Sequence, residues 1–349
     1  MRIGNGVLNA LVSAALFGAS TPLAKTLVGE ISPMLLAGLL YAGSGIGLGV
    51  GLLVRHFASG GARNVAWPRV PDIRWLAGAI LFGGVVGPVL LMLGLTSTPA
   101  STSALLLNLE AVFTAGLAWF VFHENFDRRI AAGMGLIVIG GLLLSWTPGD
   151  LTVSPGSLLI AAACLCWAVD NNLTRKVSAS DAMAVACLKG LIAGLVNTGA
   201  AVLMGTAIPS LSATAAAALV GFAGYGISLV LFVVALRDLG TARTSAYFSV
   251  APFFGAALAL LLGDTVTWQF VIACMFMAMG VWLHVTERHA HLHAHELQEH
   301  THGHIHDEHH RHAHDFPWDG REPHTHKHVH PPLVHAHPHY PDVHHRHPH

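Results

Sequence analysis

The apolar positions of this chain are gathered into ten long stretches, and Pro and Gly mark most of the short segments between them. An α-helix needs about 20 residues to cross a hydrocarbon layer about 30 Å thick, and each stretch has about this length. We therefore predict ten transmembrane helices. They lie near residues 5–28, 33–55, 73–95, 99–122, 128–146, 155–175, 182–204, 212–236, 241–262 and 266–286.

The spacing of the apolar stretches repeats, so that a unit of five helices occurs twice. Residues 17–20 can be laid on 167–170, and residues 102–104 can be laid on 244–246. Because five is an odd number, the second unit must cross the membrane in the opposite direction to the first. Inverted repeats of this kind are common in secondary transporters, whose binding site lies near the membrane midplane.

The composition excludes an ordinary soluble protein. Hydrophobic residues make up 53% of the chain, charged residues only 11%, and the mean hydropathy is +0.56. Soluble domains carry about 25% charged residues, so we expect the lipid bilayer to be the solvent of this chain. The histidines divide the sequence further, because 23 of the 26 follow residue 288. We predict repeats at 1–146 and 147–288, followed by a tail at 289–349.

Lys and Arg are distributed unevenly between the loops. The loops at 96–98, 147–154, 205–211 and 263–265 contain neither residue. The alternate loops are basic, and they hold Arg55, Arg63, Arg69, Arg74, Arg128, Arg129, Arg175, Lys176, Arg237 and Arg243. Basic loops stay on the cytoplasmic side. The sequence therefore predicts a multi-pass protein of the inner membrane with both termini in the cytoplasm.

Four segments resemble the two EamA repeats of the drug/metabolite transporter superfamily, and the resemblance extends over about residues 5–286. These segments are 15–25 (ALFGASTPLAK), 98–124, 133–141 (GMGLIVIGG) and 236–264. The resemblance implies a ten-helix carrier with an inverted five-plus-five repeat, for amino acids, other metabolites or drugs. The chain departs from the family pattern because Ala111 follows Glu110 where Pro is usual, and because its tail is long.

Four charged residues stand out inside the predicted helices, where a charge is costly unless it faces a partner or a watery cavity. Lys25, near a helix end, is interpreted as an interfacial anchor, and the other three are candidates for a site. Glu110 could bind an amino group or a coupling proton, or it could be a structural carboxyl. Lys189 could hold a carboxylate, or it could pair with Glu110 or Asp170. Asp170 lies about one turn before a predicted helix end, so it marks either a bent cavity-lining helix or the headgroup region.

Three further residues are weaker candidates for a substrate cavity. They are Asn108, Trp167 and Tyr247. Polar and aromatic side chains can line a binding site, but in a membrane helix they more often pack or face lipid. We carry all three as predicted substrate-binding residues, together with Glu110, Lys189 and Asp170.

The tail repeats the pattern His-x-His, which cannot build a hydrophobic core and predicts disorder in the free state. Imidazole is a good ligand for zinc, nickel, cobalt and copper ions. The candidate metal ligands are His291, His293, His295, His302, His304, His306, His312 and His314. The tail could buffer or sense metal, respond to pH, or be an extension without a role in transport.

Three functions remain open at this point. The first is a secondary transporter, more specifically an exporter, of a small polar metabolite, as a monomer or a homodimer. The second is a divalent-metal exporter or metal-regulated carrier, although the helices lack the His and Asp clusters of a metal path. The third is a membrane metal sensor that transports nothing. No Walker loop, dinucleotide fingerprint or HExxH motif is present, so we expect no enzyme, no required cofactor and no nucleic-acid partner.

Overall fold

The chain forms two compact units in a computed structural model, and we call Met1–Glu287 the membrane unit and Arg288–His349 the tail unit. The structure describes residues 5–58, 65–122, 128–147, 152–177, 180–239, 241–286, 290–295, 298–304, 324–330 and 333–338.

The first half of the membrane unit is a run of helices joined by short turns. Its third transmembrane segment begins with a 3-10 turn, Val70–Asp72, and contains a π-helical segment, Ile80–Val86. The α-helices are α1 (Asn5–Leu27), α2 (Pro33–Ala58), α3 (Ile73–Ala79), α4 (Gly87–Ser97), α5 (Ala100–Leu106), α6 (Leu109–Phe122) and α7 (Arg128–Ser145).

The second half follows a short antiparallel hairpin of β1 (Trp146–Thr147) and β2 (Thr152–Val153). It contains a 3-10 turn, Arg175–Val177, and a second π-helical segment, Phe222–Ile227. The α-helices are α8 (Pro155–Thr174), α9 (Ala182–Leu203), α10 (Leu211–Gly221), α11 (Ser228–Leu239), α12 (Thr241–Phe248), α13 (Ala251–Leu261) and α14 (Trp268–Val285).

The predicted all-α membrane architecture is confirmed. Within the described ranges, eight helical stretches are long and apolar enough to cross a membrane, and Ala251–Leu261 and Trp268–Leu283 are two shorter apolar helices. Large apolar side chains also cover the outside of the unit, for example Leu203 at 90% and Leu261 at 84% exposure. A bilayer is the solvent in which such a surface is stable.

The two halves meet along helices that occupy equivalent places in the repeat. Helix α2 packs against α9, and α7 packs against α14. Glycines allow this close approach: a Cβ on Gly190 would lie 2.6 Å from the backbone nitrogen of Gly45, and one on Gly280 would lie 2.6 Å from the carbonyl of Gly133. In lipid the hydrophobic effect does not favour helix association, and small residues instead let helices pack closely enough for van der Waals contact.

Two irregularities recur in both halves, and the sequence predicted neither. The third transmembrane segment of each half is π-helical in the middle, at Ile80–Val86 and at Phe222–Ile227. The fourth segment of each half is broken, between α5 and α6 and again between α12 and α13. Irregular backbone at membrane depth is stable only where protein or a water-filled cavity surrounds it.

The tail unit is described in four short segments, and the disorder predicted for the free tail stays a prediction. Its described residues form four strands, β3 (Ala290–His295), β4 (Gln298–His304), β5 (His324–His330) and β6 (Leu333–Pro338). Strand β3 pairs antiparallel with β6, and β4 pairs antiparallel with β5. The physical reason is the period of the sequence: His-x-His alternates every two residues, which is the repeat of an extended strand.

Candidate functional site

The centre of the site is an ion pair between α8 and α9. The ammonium nitrogen of Lys189 lies 2.6 Å from each carboxylate oxygen of Asp170. The hydroxyl of Thr174, one turn along α8, donates to Oδ1 of Asp170 at 2.8 Å and lies 3.4 Å from the Lys189 nitrogen. The Asp170 side chain is only 9% exposed, so both charges are held in a largely desolvated place and neutralise each other.

Gly83, in the first π-helical segment, makes the room that Asp170 occupies. A Cβ at this position would lie 1.9 Å from Oδ2 of Asp170. The carbonyl of Gly83 also accepts two hydrogen bonds, from the hydroxyl of Tyr41 at 2.7 Å and from Nε1 of Trp167 at 2.9 Å. One residue of the third transmembrane segment therefore meets α2 through Tyr41 and α8 through both Asp170 and Trp167.

A second carboxylate, Glu110, lies in the first turn of α6, directly after the break in the fourth segment. Its Oε1 accepts a hydrogen bond of 2.8 Å from the amide of Asn171, the residue that follows Asp170 on α8. The Asn171 amide also lies 3.4 Å from the hydroxyl of Thr114. Glu110 is half-buried and Asn171 is exposed, so this pair keeps an accessible surface. We call Glu110, Asp170, Asn171, Thr174 and Lys189 the polar cluster.

A row of aromatic rings extends from α2 to α12 and joins helices of both halves. The ring centroids of Tyr41 and Tyr225 are 5.5 Å apart, those of Tyr225 and Phe17 are 6.0 Å apart, and those of Phe17 and Phe248 are 5.4 Å apart. Phe232 continues the row at 4.9 Å from Phe248. Because Tyr41 also bonds to Gly83, the aromatic row begins next to the polar cluster.

The structure thus brings together four of the six predicted substrate-binding residues, namely Glu110, Lys189, Asp170 and Trp167. Asn108 lies in the break between α5 and α6, where its amide donates to the Leu105 carbonyl at 2.9 Å and to the Met277 sulfur at 3.8 Å. Tyr247 lies on α12, half-buried, beside Phe248 of the aromatic row. In the ranges that the structure describes, neither residue bonds to the polar cluster.

Two residues next to the predicted ones were not predicted as part of the site. Gly83 contacts Asp170 and Trp167, and Tyr41 bonds to Gly83, yet no motif marks either residue. Glycines and aromatics are frequent in membrane helices, so their identity alone does not single out a site. Only the register between α8 and its neighbours shows which of them contact Asp170 and Glu110.

A small cavity of about 180 Å³ lies elsewhere, between the ends of helices from both halves. Its lining is uncharged: Ser97, Thr98, Pro99, Thr102, Leu144, Ser145, Trp146, Ser154, Ser157, Thr267 and Gln269. The buried hydroxyls of Thr98 and Ser157 make no hydrogen bond to any residue in the described ranges. This uncharged cavity can hold water but offers no charge to a substrate, so we base the candidate site on the polar cluster instead.

No group of three or more His, Cys, Asp or Glu side chains that could hold a metal ion is found among the described residues. Of the predicted metal ligands, His291, His293 and His295 lie in β3, and His302 and His304 lie in β4. The remaining three, His306, His312 and His314, lie outside the described residues. The metal assignment therefore stays a prediction.

Comparison with known proteins agrees with this architecture. The chain matches the model of the EamA-like transporter family twice, over residues 4–146 and 154–286. A solved crystal structure is similar in fold, with a TM-score of 0.58 at 20% identity, over 80% of this chain and 95% of the other.

Two curated relatives are also similar. An uncharacterized transporter of Methanothermobacter thermautotrophicus is 26% identical over 275 residues, which are 74% of this chain and 79% of the relative. A probable amino-acid metabolite efflux pump of Salmonella typhimurium is 28% identical over 206 residues, which are 54% of this chain and 68% of the relative. With two family matches that together span most of its length and a fold of paired five-helix halves, the chain belongs to the EamA-like transporter family.

Proposed function

We propose that this membrane transporter carries a small zwitterionic metabolite, of the amino-acid type, and that it works as an exporter without enzymatic activity. The observation that supports this proposal best is the polar cluster, in which a cation and two carboxylates lie among transmembrane helices. Charges at this depth are costly and commonly mark substrate or ion pathways.

The chemistry of the polar cluster matches that of a zwitterion. Within the part of the chain that the structure describes, the hydrogen bond of the Glu110 carboxylate comes from a neutral amide, so this carboxylate can accept a charge-assisted hydrogen bond from a substrate amino group. Lys189 is the matching cation for a substrate carboxylate, which would have to compete with Asp170. Exchange of one carboxylate partner for another would leave Lys189 neutralised at every stage.

The aromatic row supplies the apolar part of the site. Tyr41 and Tyr225 lie between the polar cluster and Phe17, so a bound molecule could place its charged end on the cluster and its side chain on the rings. Aromatic faces also attract an ammonium group by about 0.5–2 kcal/mol. An aromatic surface discriminates between substrate side chains of different size and apolarity less strictly than hydrogen bonds discriminate between polar groups.

The repeat suggests how the site opens to each side. Secondary transporters with inverted repeats alternate between two states by rocking one repeat or bundle against the other. The glycine-rich seams between α2 and α9 and between α7 and α14 join the halves, while the first π-helical segment and the break between α5 and α6 lie next to the polar cluster. We infer that rocking moves these segments, and that export follows the direction named for the Salmonella relative.

The proposed function is tested by transport in proteoliposomes. Purified protein would be assayed for exchange of a panel of radiolabelled amino acids, with the wild type, Glu110→Gln and the matched control Glu30→Gln. Glu30 is an exposed carboxyl bonded to Ser210 outside the cluster. We expect Glu110→Gln to lower the exchange rate about tenfold or more, because a charge-assisted hydrogen bond is worth about 1.5–3 kcal/mol.

The control decides between a specific and a general effect. Glu30→Gln should exchange substrate at the wild-type rate, and both variants should be present in equal amounts in the membrane. Unchanged exchange by Glu110→Gln, at equal protein levels, would refute the role of the cluster.

The histidine-rich tail favours a second candidate, in which divalent metal regulates the carrier or is its cargo. This candidate predicts that a chain ending at Glu287 loses resistance to nickel, cobalt or zinc in growing cells. The zwitterion proposal predicts that the same truncation leaves amino-acid exchange intact. Metal resistance and amino-acid exchange are measured independently on the same truncated chain, so this one variant separates the candidates.

A further inference from the structure

The two ladders of the tail unit share one register. Ala290 faces Pro338 and His295 faces Leu333 in the first ladder, and Gln298 faces His330 and His304 faces His324 in the second. The residue numbers of facing partners have the same sum in both ladders, so the second ladder continues the register of the first. The four described strands therefore share one antiparallel register, and we call the two ladders together the hairpin.

Histidine faces histidine at five positions of this hairpin. The facing pairs are His291 with His337, His293 with His335, His300 with His328, His302 with His326, and His304 with His324. Within one ladder these pairs occupy every second position, and alternate residues of a strand lie on the same face. Each ladder therefore carries its facing histidines on a single face.

The sequence supports this pairing, because the histidines shift from odd to even positions between the two ladders; we call this shift a change of phase. The histidines of β3 have odd numbers and those of β4 have even numbers, and the same change occurs between β6 and β5. If only one strand changed phase, histidine would face a different residue type in one of the two ladders. Because both strands change, a single antiparallel register matches histidine with histidine on both sides of the break.

We propose that the tail is a metal-binding hairpin in which facing histidine pairs, rather than separate histidines, hold Zn²⁺ or a chemically similar divalent ion. Facing residues in an antiparallel ladder have Cβ atoms about 4.5–5.5 Å apart, and neighbouring pairs on one face are about 6.8 Å apart along the strand. Two adjacent pairs can thus supply the four ligands of a tetrahedral zinc site. This proposal goes beyond transport and does not depend on it.

Metal binding and hairpin formation support each other in this arrangement. An isolated two-stranded ribbon is at best marginally stable in water, so the ladders gain from a link between their strands. Binding that joins two segments of a chain contributes directly to folding free energy. Mg²⁺ should not substitute, because it prefers oxygen ligands.

The test separates pairing from histidine density by moving histidines without removing any. In a swapped variant, each of three histidines of β5 exchanges places with the next residue: His324→Thr with Thr325→His, His326→Lys with Lys327→His, and His328→Val with Val329→His. The histidine count is unchanged, but these residues no longer face the histidines of β4.

A double-swapped variant restores two adjacent facing pairs of the three in the β4–β5 ladder. It adds the exchanges His300→Thr with Thr301→His, and His302→Gly with Gly303→His. Histidines at 301 and 303 then face those at 327 and 325 in the same register. This variant has the same composition as the wild type and the swapped variant.

Zn²⁺ affinity and stoichiometry would be measured on the full chain in detergent by competition with a chromophoric chelator. The chain ending at Glu287 gives the contribution of the membrane unit. The swapped variant keeps the two facing pairs of the β3–β6 ladder, so we expect it to bind fewer Zn²⁺ ions tightly rather than none. The site of the β4–β5 ladder should weaken about tenfold or more, because two ligands on linked strands act at a high effective concentration. The double-swapped variant should recover it.

An equal number of tight Zn²⁺ sites, with equal affinity, in the wild type and the swapped variant would overturn the proposal, since density alone would then explain binding. Failure of the double-swapped variant to recover would also overturn it. A second measurement guards against a general loss of structure: amino-acid exchange should be the same in all three chains. Loss of zinc binding with intact exchange leaves the transport proposal untouched.

Discussion

The two halves of the membrane unit place equivalent backbone around very different chemistry. Gly83 of the third segment approaches Asp170 of α8, where an added Cβ would lie 1.9 Å from the carboxylate. Gly224 of the eighth segment approaches Ser20 of α1, where an added Cβ would lie 2.6 Å from the Ser20 Cβ. Residues 17–20 and 167–170 are matched in the repeat, so these two contacts are equivalent. One holds a buried ion pair and the other a neutral hydroxyl.

This difference shows which property the repeat preserves. The close approach of a glycine in a π-helical segment recurs in both halves, because it sets how the helices pack. The charge does not recur: Ser20 donates its hydroxyl to the carbonyl of Phe17, three residues earlier in its own helix. The repeat therefore fixes the packing of the helix backbones in both halves. The polar cluster depends on side chains, such as Asp170, that differ between the matched positions.

The largest effect is expected when Asp170 is made to resemble its counterpart. Asp170→Ser would leave Lys189 buried without its partner, and breaking a buried ion pair costs about 3–5 kcal/mol. We expect a strong loss of folded protein from the membrane, measured by fluorescence-detected size exclusion and by thermal unfolding. Adding Lys189→Met should restore folding, because replacing both partners removes the uncompensated charge.

The double variant also separates folding from transport. If the ion pair serves only the fold, Asp170→Ser with Lys189→Met will recover both folded protein and amino-acid exchange. Our proposal predicts recovery of the protein without recovery of exchange. A single Asp170→Ser variant that folds normally would contradict the buried pair itself.

A smaller effect is expected from filling the two glycine contacts. Gly83→Ala should destabilise the unit by about 1–3 kcal/mol, the usual cost of overpacking, and should displace Asp170. Gly224→Ala should destabilise it to a similar degree but leave exchange less affected, because no charged group lies against it. The control is Gly116→Ala, where an added Cβ meets nothing within 4 Å. Equal exchange rates in Gly83→Ala and Gly116→Ala would rule out this role of Gly83.

The smallest effect concerns the starts of equivalent helices α2 and α9. Asp181 caps α9 by accepting from the backbone nitrogens of Met183 and Ala184, and it pairs with Arg55 at 2.8 Å. Ser32 precedes α2, and its hydroxyl makes no hydrogen bond to the described protein. Asp181→Ser keeps a capping oxygen but loses a partly exposed ion pair, so we expect a loss of about 0–1 kcal/mol. Thermal unfolding of Asp181→Ser checks this. Arg55→Ala removes the same ion pair and should lower the free energy of unfolding by a similar amount.

The sequence predicted those features that follow from length, composition and the cost of charge. Ten apolar stretches in two sets of five gave the all-α membrane architecture, and the rarity of charges singled out Asp170, Lys189 and Glu110. The contacts around these residues could not be predicted, because Gly83 approaches Asp170, and Tyr41 bonds to Gly83, only through long-range packing. Asn108 illustrates the converse: it is polar and buried in the break between α5 and α6, yet its amide is bound to Leu105 and Met277.

The paired π-helical segments have a mechanical consequence. A π-helical turn admits one extra residue and locally alters the axial ladder of hydrogen bonds, so a long helix yields there before it yields elsewhere. Ile80–Val86 and Phe222–Ile227 give each half one compliant turn at an equivalent point. A conformational change can then bend both halves at these two turns, while the glycine-lined seams between α2 and α9 and between α7 and α14 keep their packing.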